Sequence, residues 1–325
     1  MSKLKLLVPI IFSFAATAGY GVVVRLAFTS EEYADLLGTI SVGFLFFVPL
    51  AIGALTQFIA PAQYRTDWRY AAFVPWLPCA IFATLAVVLT WEAWICVVMA
   101  LPIFFFMATG GGLFMLVFYI IRDKRTKTHV TVVGLLLLTP FLITPLEHRF
   151  PRQDAIRTVH TQLEVAAGPA RVWDQITRVA PIGEAEHRFS FFHLAGLPRP
   201  MSATLTHDGV GGVRRGQWED GLAFVETISE WRLHETYVMQ MEADTSAVSE
   251  SPLPLSEIGG RHFDVIEGAY AIEPLGEGRV RLHFTSKYRL STRFNAYSSL
   301  WTDFFMQDVQ RYILQIMKAR AEKRP

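Results

Sequence analysis

Charge is sparse and confined to short segments in the first 146 residues of this chain and ordinary in the rest, and this asymmetry limits the possible folds more than any motif does. Residues 4–146 contain long runs nearly free of Asp, Glu, Lys and Arg, whereas residues 147–325 mix all four. The chain is 52% hydrophobic with a mean hydropathy of +0.31, high for a wholly soluble protein, so the apolar excess must be concentrated in the first part. Crossing a hydrocarbon core of roughly 30 Å takes about 20 apolar residues. Five stretches meet or approach that length: 5–28, 36–60, 70–90, 93–121 and 130–146. The expected organisation is an all-α transmembrane bundle over 1–146, a linker over 147–157 and a water-soluble α+β domain over 158–321.

Lys and Arg in short loops stay on the cytoplasmic side. Lys3 and Lys5 precede the first stretch, Arg65 and Arg69 separate the second and third, and Arg122, Lys124, Arg125 and Lys127 separate the fourth and fifth. The alternate loops lack basic residues: one holds Glu31, Glu32 and Asp35, and the other is Trp91-Glu92-Ala93-Trp94. Five crossings with the N-terminus inside place the C-terminal domain on the extracytoplasmic side of a cytoplasmic membrane. The first stretch also carries a signal-peptide-like Ala16-Thr17-Ala18, but its apolar run continues through Val22, Val23 and Val24. Arg25, near the end of that stretch, is expected to snorkel to the interface, and Glu92 falls in a turn. So few intramembrane ionisable groups argue against a pump or ion-coupled transporter and favour an anchor or a lateral contact surface. Gly110, Gly111 and Gly112 in the fourth stretch suit close helix packing better than a hinge.

A formal charge of +1 gives no basic footprint for nucleic acid. Both cysteines, Cys79 and Cys96, lie in apolar runs, and the soluble half has none to pair, ligate metal or attack a substrate. Its histidines show no ligand spacing, so neither a metal set nor a cofactor is expected. The Gly209-Val210-Gly211-Gly212 run lacks the Lys-Ser/Thr ending of a phosphate loop.

After the linker, residues 158–166 alternate as a strand, and 170–179 place Val172, Trp173, Ile176 and Val179 along one helical face. Residues 203–207, 213–218, 222–231, 235–243, 262–273 and 279–290 read as strands, punctuated by Gly209–Gly212, Asp220-Gly221 and Gly276-Glu277-Gly278. Residues 292–321 form an amphipathic closing helix, with Phe294, Tyr297, Trp301, Phe304, Phe305, Tyr312, Ile313 and Ile316 recurring every three or four positions. The polar, proline-containing stretch 246–260 is expected to be a loop, either a lid or a connector.

The opening strand with Gly168-Pro169-Ala170-Arg171-Val172-Trp173-Asp174, the Gly-rich hairpin leading to Arg214-Arg215-Gly216-Gln217-Trp218, and the aromatic last helix resemble the START-like SRPBCC superfamily, which includes polyketide cyclase-like and lipid-transfer proteins. The resemblance covers about residues 158–321. It implies a helix-grip fold, a curved antiparallel sheet around the long C-terminal helix, with a cavity between them. One such scaffold hosts many activities.

Within that fold, period-two counting puts Val280, Leu282, Phe284, Ser286 and Tyr288 on one face of the last strand. It puts His262, Asp264, Ile266, Gly268 and Tyr270 on one face of its neighbour. Tyr270, Leu282, Phe284 and Tyr288, with Tyr297, Trp301 and Phe304 from the helix, are the expected ligand-contacting set, and the alternative is that they fill the core. His262 and Asp264 are the candidate acid–base pair. The expected function is a membrane-anchored domain that binds or presents a hydrophobic small molecule or lipid. The alternatives are a cyclase- or hydrolase-type enzyme on an apolar substrate, and a regulatory membrane protein whose soluble domain binds a protein partner.

Overall fold

The computed structural model describes residues 3–29, 41–122, 126–147, 149–150, 152–248, 255 and 258–323. The acidic loop with Glu31, Glu32 and Asp35, the basic Lys124 and Arg125, and most of the 246–260 loop lie outside the described residues. The chain divides into two compact units, Met1–Pro151 and Arg152–Pro325.

The first unit is helical: α1 (Lys3–Phe28), a π-helical turn (Gly43–Phe47) running into α2 (Val48–Phe58), then α3 (Trp68–Phe73), α4 (Trp76–Val88), α5 (Trp94–Arg122) and α6 (Thr126–Glu147). Among the described residues, four helical stretches are long and apolar enough to cross a membrane: Ile11–Phe28, Trp68–Val88, Trp94–Ile121 and Thr128–Glu147. The third and fourth helices make up one of these. The expected stretch at 36–60 is different. Its described helix has five π-helical and eleven α-helical residues, about 24 Å at 1.5 Å per residue.

Glycines set how closely these helices approach. A Cβ on Gly53 would lie 2.0 Å from the Ala108 carbonyl oxygen, one on Gly111 1.9 Å from that of Leu50, and one on Gly112 2.1 Å from that of Ala71. Backbone touches backbone at all three positions, so the glycine run of α5 serves packing against α2 and α3. Arg25 does not snorkel outward. It is buried, pairs with Glu92 at 2.8 Å and donates to the Trp91 carbonyl at 3.0 Å. Gln57 is also buried and donates to the Tyr64 and Arg65 carbonyls, closing the turn after α2.

The second unit contains β1 (Ala155–Val165), α7 (Pro169–Thr177), α8 (Phe191–Leu194), β2 (Pro200–Leu205), β3 (Val213–Trp218), β4 (Ala223–Arg232), β5 (Thr236–Asp244), β6 (Phe263–Gly276), β7 (Arg279–Leu290) and α9 (Asn295–Glu322). Among the described residues, seven strands form one curled antiparallel sheet in the order β1-β7-β6-β5-β4-β3-β2, and α9 lies against β1 and β7. This is a helix-grip arrangement. Helix α7 starts at Pro169, where a missing N–H costs nothing, and buries Val172, Trp173 and Ile176. The β6–β7 hairpin turns through Glu277 (φ 53°) and Gly278 (φ 70°), the paired positive φ values of a type I′ turn.

Two apolar clusters lie between sheet and helices. One gathers Trp173, Ile176, Phe192, Tyr237, Met239, Tyr270, Leu282, Phe284 and Tyr312; the other gathers Val159, Phe224, Val265, Tyr288 and Leu290. Strand β1 begins at Ala155, within the stretch read as linker, because its first residues are registered against the end of β7, with Ala155 opposite Leu290.

Candidate functional site

The face of the sheet toward α9 is the natural place for a site, and its residues follow from the register. Tyr237 is opposite Tyr270, Tyr270 opposite Phe284, and Gly268 lies between Met239 and Ser286. Tyr270 and Phe284 stack with ring centroids 4.2 Å apart and planes at 6°. Gly268 leaves room that two flexible side chains occupy: a Cβ there would lie 2.5 Å from Met239 Cε and 3.1 Å from Met241 Sδ. Methionine fills irregular space and yields it at low cost.

One buried ion pair breaks this apolar lining. Arg214 and Glu226 are cross-strand partners on β3 and β4, and the Arg214 guanidinium donates to the Glu226 carboxylate and, through Nε at 3.2 Å, to the Thr177 carbonyl at the end of α7. Tyr237 donates to the neighbouring Ile176 carbonyl at 2.6 Å. Gly216, on the same face, has no side chain to cover the carboxylate; a Cβ there would sit 3.0 Å from Glu226 Oε1. Burial pushes the Glu226 carboxyl up, against the opposing pull of Arg214. Burial also disfavours the Arg214 charge, but Glu226 together with Tyr237 and Tyr270 outweighs it and holds the guanidinium above its usual range. Burial pushes the Tyr237 and Tyr270 phenols up as well. Sequence periodicity alone missed this pair. A signal was present in the alternation Arg214-Gly216-Trp218, which puts a cation on the inward parity of β3.

A second polar feature fastens the helix to the sheet. Gln310 of α9 is buried; its Nε2 donates to the Val159 carbonyl (3.1 Å) and Ser286 Oγ (2.9 Å), and its Oε1 accepts from Thr161 Oγ1 (2.8 Å). Farther toward the N-terminal end of α9, Asp303 accepts from Tyr288 Oη and from Arg157, each at 2.5 Å. Partial burial pushes the Asp303 carboxyl up, but those hydrogen bonds more than offset it and the group ends below its usual range.

The expected ligand set divides. Tyr270, Leu282, Phe284 and Tyr288 face inward and are buried, Leu282 and Tyr288 completely. Tyr297 and Trp301 are half-buried. Phe304 points elsewhere: it is 44% exposed and packs on Phe191 and Phe305, at centroid distances of 5.6 and 5.3 Å. With Phe189, Phe191, Leu194 and Leu300 it belongs to an exposed apolar group where α8 meets α9.

The shared face expected for His262, Asp264 and Tyr270 does not form. A β-bulge inserts Ile266 between Val265, which is opposite Tyr288, and Glu267, which is opposite Lys287. The extra residue reverses the parity, so Val265 points inward and Asp264 outward, on the face away from Gly268 and Tyr270. Asp264 is opposite Arg289, and burial pushes its carboxyl up while Arg289 pulls it down. Among the described residues, no group of three or more His, Cys, Asp or Glu side chains converges to hold a metal ion.

No protein-family model matches the chain, and no curated protein does. Solved structures similar to it include a protein from Rhizobium leguminosarum at 15% identity and TM-score 0.33, covering 54% of this chain and 100% of that one. Truncated norcoclaurine synthase from Thalictrum flavum matches at 12% identity and TM-score 0.32, covering 53% and 98%. A START superfamily protein from Mycobacterium smegmatis matches at 12% identity and TM-score 0.34, covering 51% and 97%.

Proposed function

We propose that the chain is a membrane-anchored, START-like protein whose C-terminal unit takes up a hydrophobic small molecule or lipid between the sheet and α9. The observation that carries this reading is the composition of the inward face: aromatic and aliphatic side chains, two methionines folded over Gly268, and a few buried polar groups, Arg214 with Glu226 and Gln310 with Ser286. Ligand sites are built in this way, mostly apolar with a few placed polar groups. The first unit supports the anchor. Its helices expose large apolar side chains outward, among them Phe12, Phe106, Ile121 and Leu142, which suits contact with acyl chains. An apolar ligand partitions into the bilayer, so a domain tethered there meets it at high effective concentration.

The five-crossing topology remains the proposed one, with the helix at Gly43–Phe58 as its shortest member and the C-terminal unit on the extracytoplasmic side. A reporter fused after Pro325 tests this; activity confined to the cytoplasm overturns it. For the ligand, the full chain is purified, a protease site inserted in the 148–151 segment releases the C-terminal unit, and native mass spectrometry weighs it. A retained apolar mass identifies the ligand class. A unit that stays empty after incubation with a total lipid extract sinks the binding reading and favours the one in which the domain contacts a protein partner. An enzymatic reading of the same face would place acid–base work on Glu226 beside Tyr237 rather than on His262 and Asp264.

A further inference from the structure

The seven histidines of the soluble unit show no metal-ligand spacing in sequence, yet the β1–β7 register sets two of them side by side on the sheet face away from α9. His160 of β1 is opposite Thr285 and His283 of β7 is opposite Gln162, so the two imidazoles are diagonal neighbours on one face. His160 Nε2 lies 3.1 Å from His283 Nδ1, with the rings 26° from parallel. On the other side of His283, its Nε2 lies 3.3 Å from Glu273 Oε2. That chain of contacts selects tautomers. The Glu273 carboxylate accepts the Nε2 proton of His283, which leaves His283 Nδ1 as a lone pair, and His160 Nε2–H donates to it.

The geometry points to an open two-histidine site for a late first-row divalent cation, copper or zinc, ligated by His160 Nε2 and His283 Nδ1 with Glu273 as the orienting carboxylate. Metal–nitrogen bonds of about 2.0–2.1 Å require ligand nitrogens about 2.9–3.4 Å apart for bond angles between 90° and the tetrahedral value, and the observed separation falls within that interval. A ligating imidazole that donates its other N–H to a carboxylate is the usual supporting arrangement, because it fixes the tautomer and raises ligand basicity. Binding needs one tautomeric change and releases no proton: the His160 proton moves from Nε2 to Nδ1, and both rings remain neutral. The nearby charges are compensated, since Arg281 is held between Glu273 at 3.0 Å and Glu164 at 3.1 Å. Two rigid, paired strands carry the ligands, and water completes the coordination. This site is separate from the inward face and independent of the ligand-binding proposal.

Isothermal titration of the tag-free full chain in detergent micelles with Cu²⁺ and with Zn²⁺ tests it. One equivalent should bind, copper more tightly than zinc. His160→Gln and His283→Gln should each remove that equivalent, and Glu273→Gln should weaken it about 10–100-fold. Both histidines are at the surface, so the variants should retain the circular dichroism of the parent. Absence of a stoichiometric heat, or its survival in both histidine variants, overturns the site; an unchanged affinity in Glu273→Gln overturns the orienting role.

Discussion

Arg214 on β3 and Glu226 on β4 sit opposite each other in the strand register and close an ion pair against the end of α7, with side chains only 7% and 5% exposed. Removing one partner strands the other charge, a loss of about 3–5 kcal/mol. Arg214→Met should therefore destabilise the C-terminal unit by that order, whereas Arg214→Met combined with Glu226→Leu should recover most of it, because no buried charge is left to desolvate. Urea unfolding of the full chain in detergent, followed by hydrogen exchange in β3 and β4, checks this. A double variant as unstable as the single one would contradict it.

Because the pair is internally neutral, the inward face is expected to prefer uncharged ligands, and Glu226→Gln should change that preference by leaving the Arg214 charge uncompensated. A fluorescent polyene fatty acid and its methyl ester differ only in charge. The parent protein should bind the ester more tightly, and the variant should shift the ratio toward the acid at least tenfold. An unchanged ratio would remove Arg214 and Glu226 from the binding surface.

Gln310 satisfies three partners at once, Thr161, Ser286 and the Val159 carbonyl. Gln310→Leu keeps the bulk and removes every one of those hydrogen bonds. Each buried group left unpaired costs about 1–3 kcal/mol, so the variant should be among the most destabilising single changes in α9, with β1 amides losing exchange protection first. A stability change within about 0.5 kcal/mol would show that the helix is held by apolar packing alone.

Glu186 is held down to about 2 by the hydrogen bonds it accepts from Arg320, with partial burial opposing and the Gly183 backbone N–H adding to the effect. A folded-state value below the unfolded one means stabilisation that is fully present above the ordinary glutamate range. That stabilisation disappears as pH falls from there through about 2. Glu186→Gln should flatten this acid limb of the stability profile and leave the slope above it unchanged. An acid limb identical to that of the parent would assign the pH dependence to other carboxylates.

Much of the fold was legible because it rests on local pattern. The apolar runs of the first unit, the alternation in β3, β4, β5 and β7, the Gly276-Glu277-Gly278 turn and the periodic aromatic residues of α9 are each written within a few consecutive residues. The glycine packing of α5 was legible for the same reason, since only glycine permits a neighbouring carbonyl as near as Ala71 and Leu50 come.

The candidate sites depended on information that local pattern does not carry. One inserted residue, Ile266, moved Asp264 off the face counted for it, because strand side chains alternate strictly and a bulge reverses every position beyond it, and His262 precedes the strand altogether. Phe304 shares the periodic stripe of α9, yet packing on Phe191 turned it to the surface. The sequence by itself determined which segments are helix or strand and that the two halves differ in their solvent preference, since propensity and hydropathy act over a few residues. Which charges met was decided only in the tertiary structure. Arg214 with Glu226 depends on register, His160 with His283 on a pairing between strands at opposite ends of the unit, and Arg25 with Glu92 on helix packing. Coulombic and hydrogen-bond energies depend on distances in space, which separation along the chain does not set.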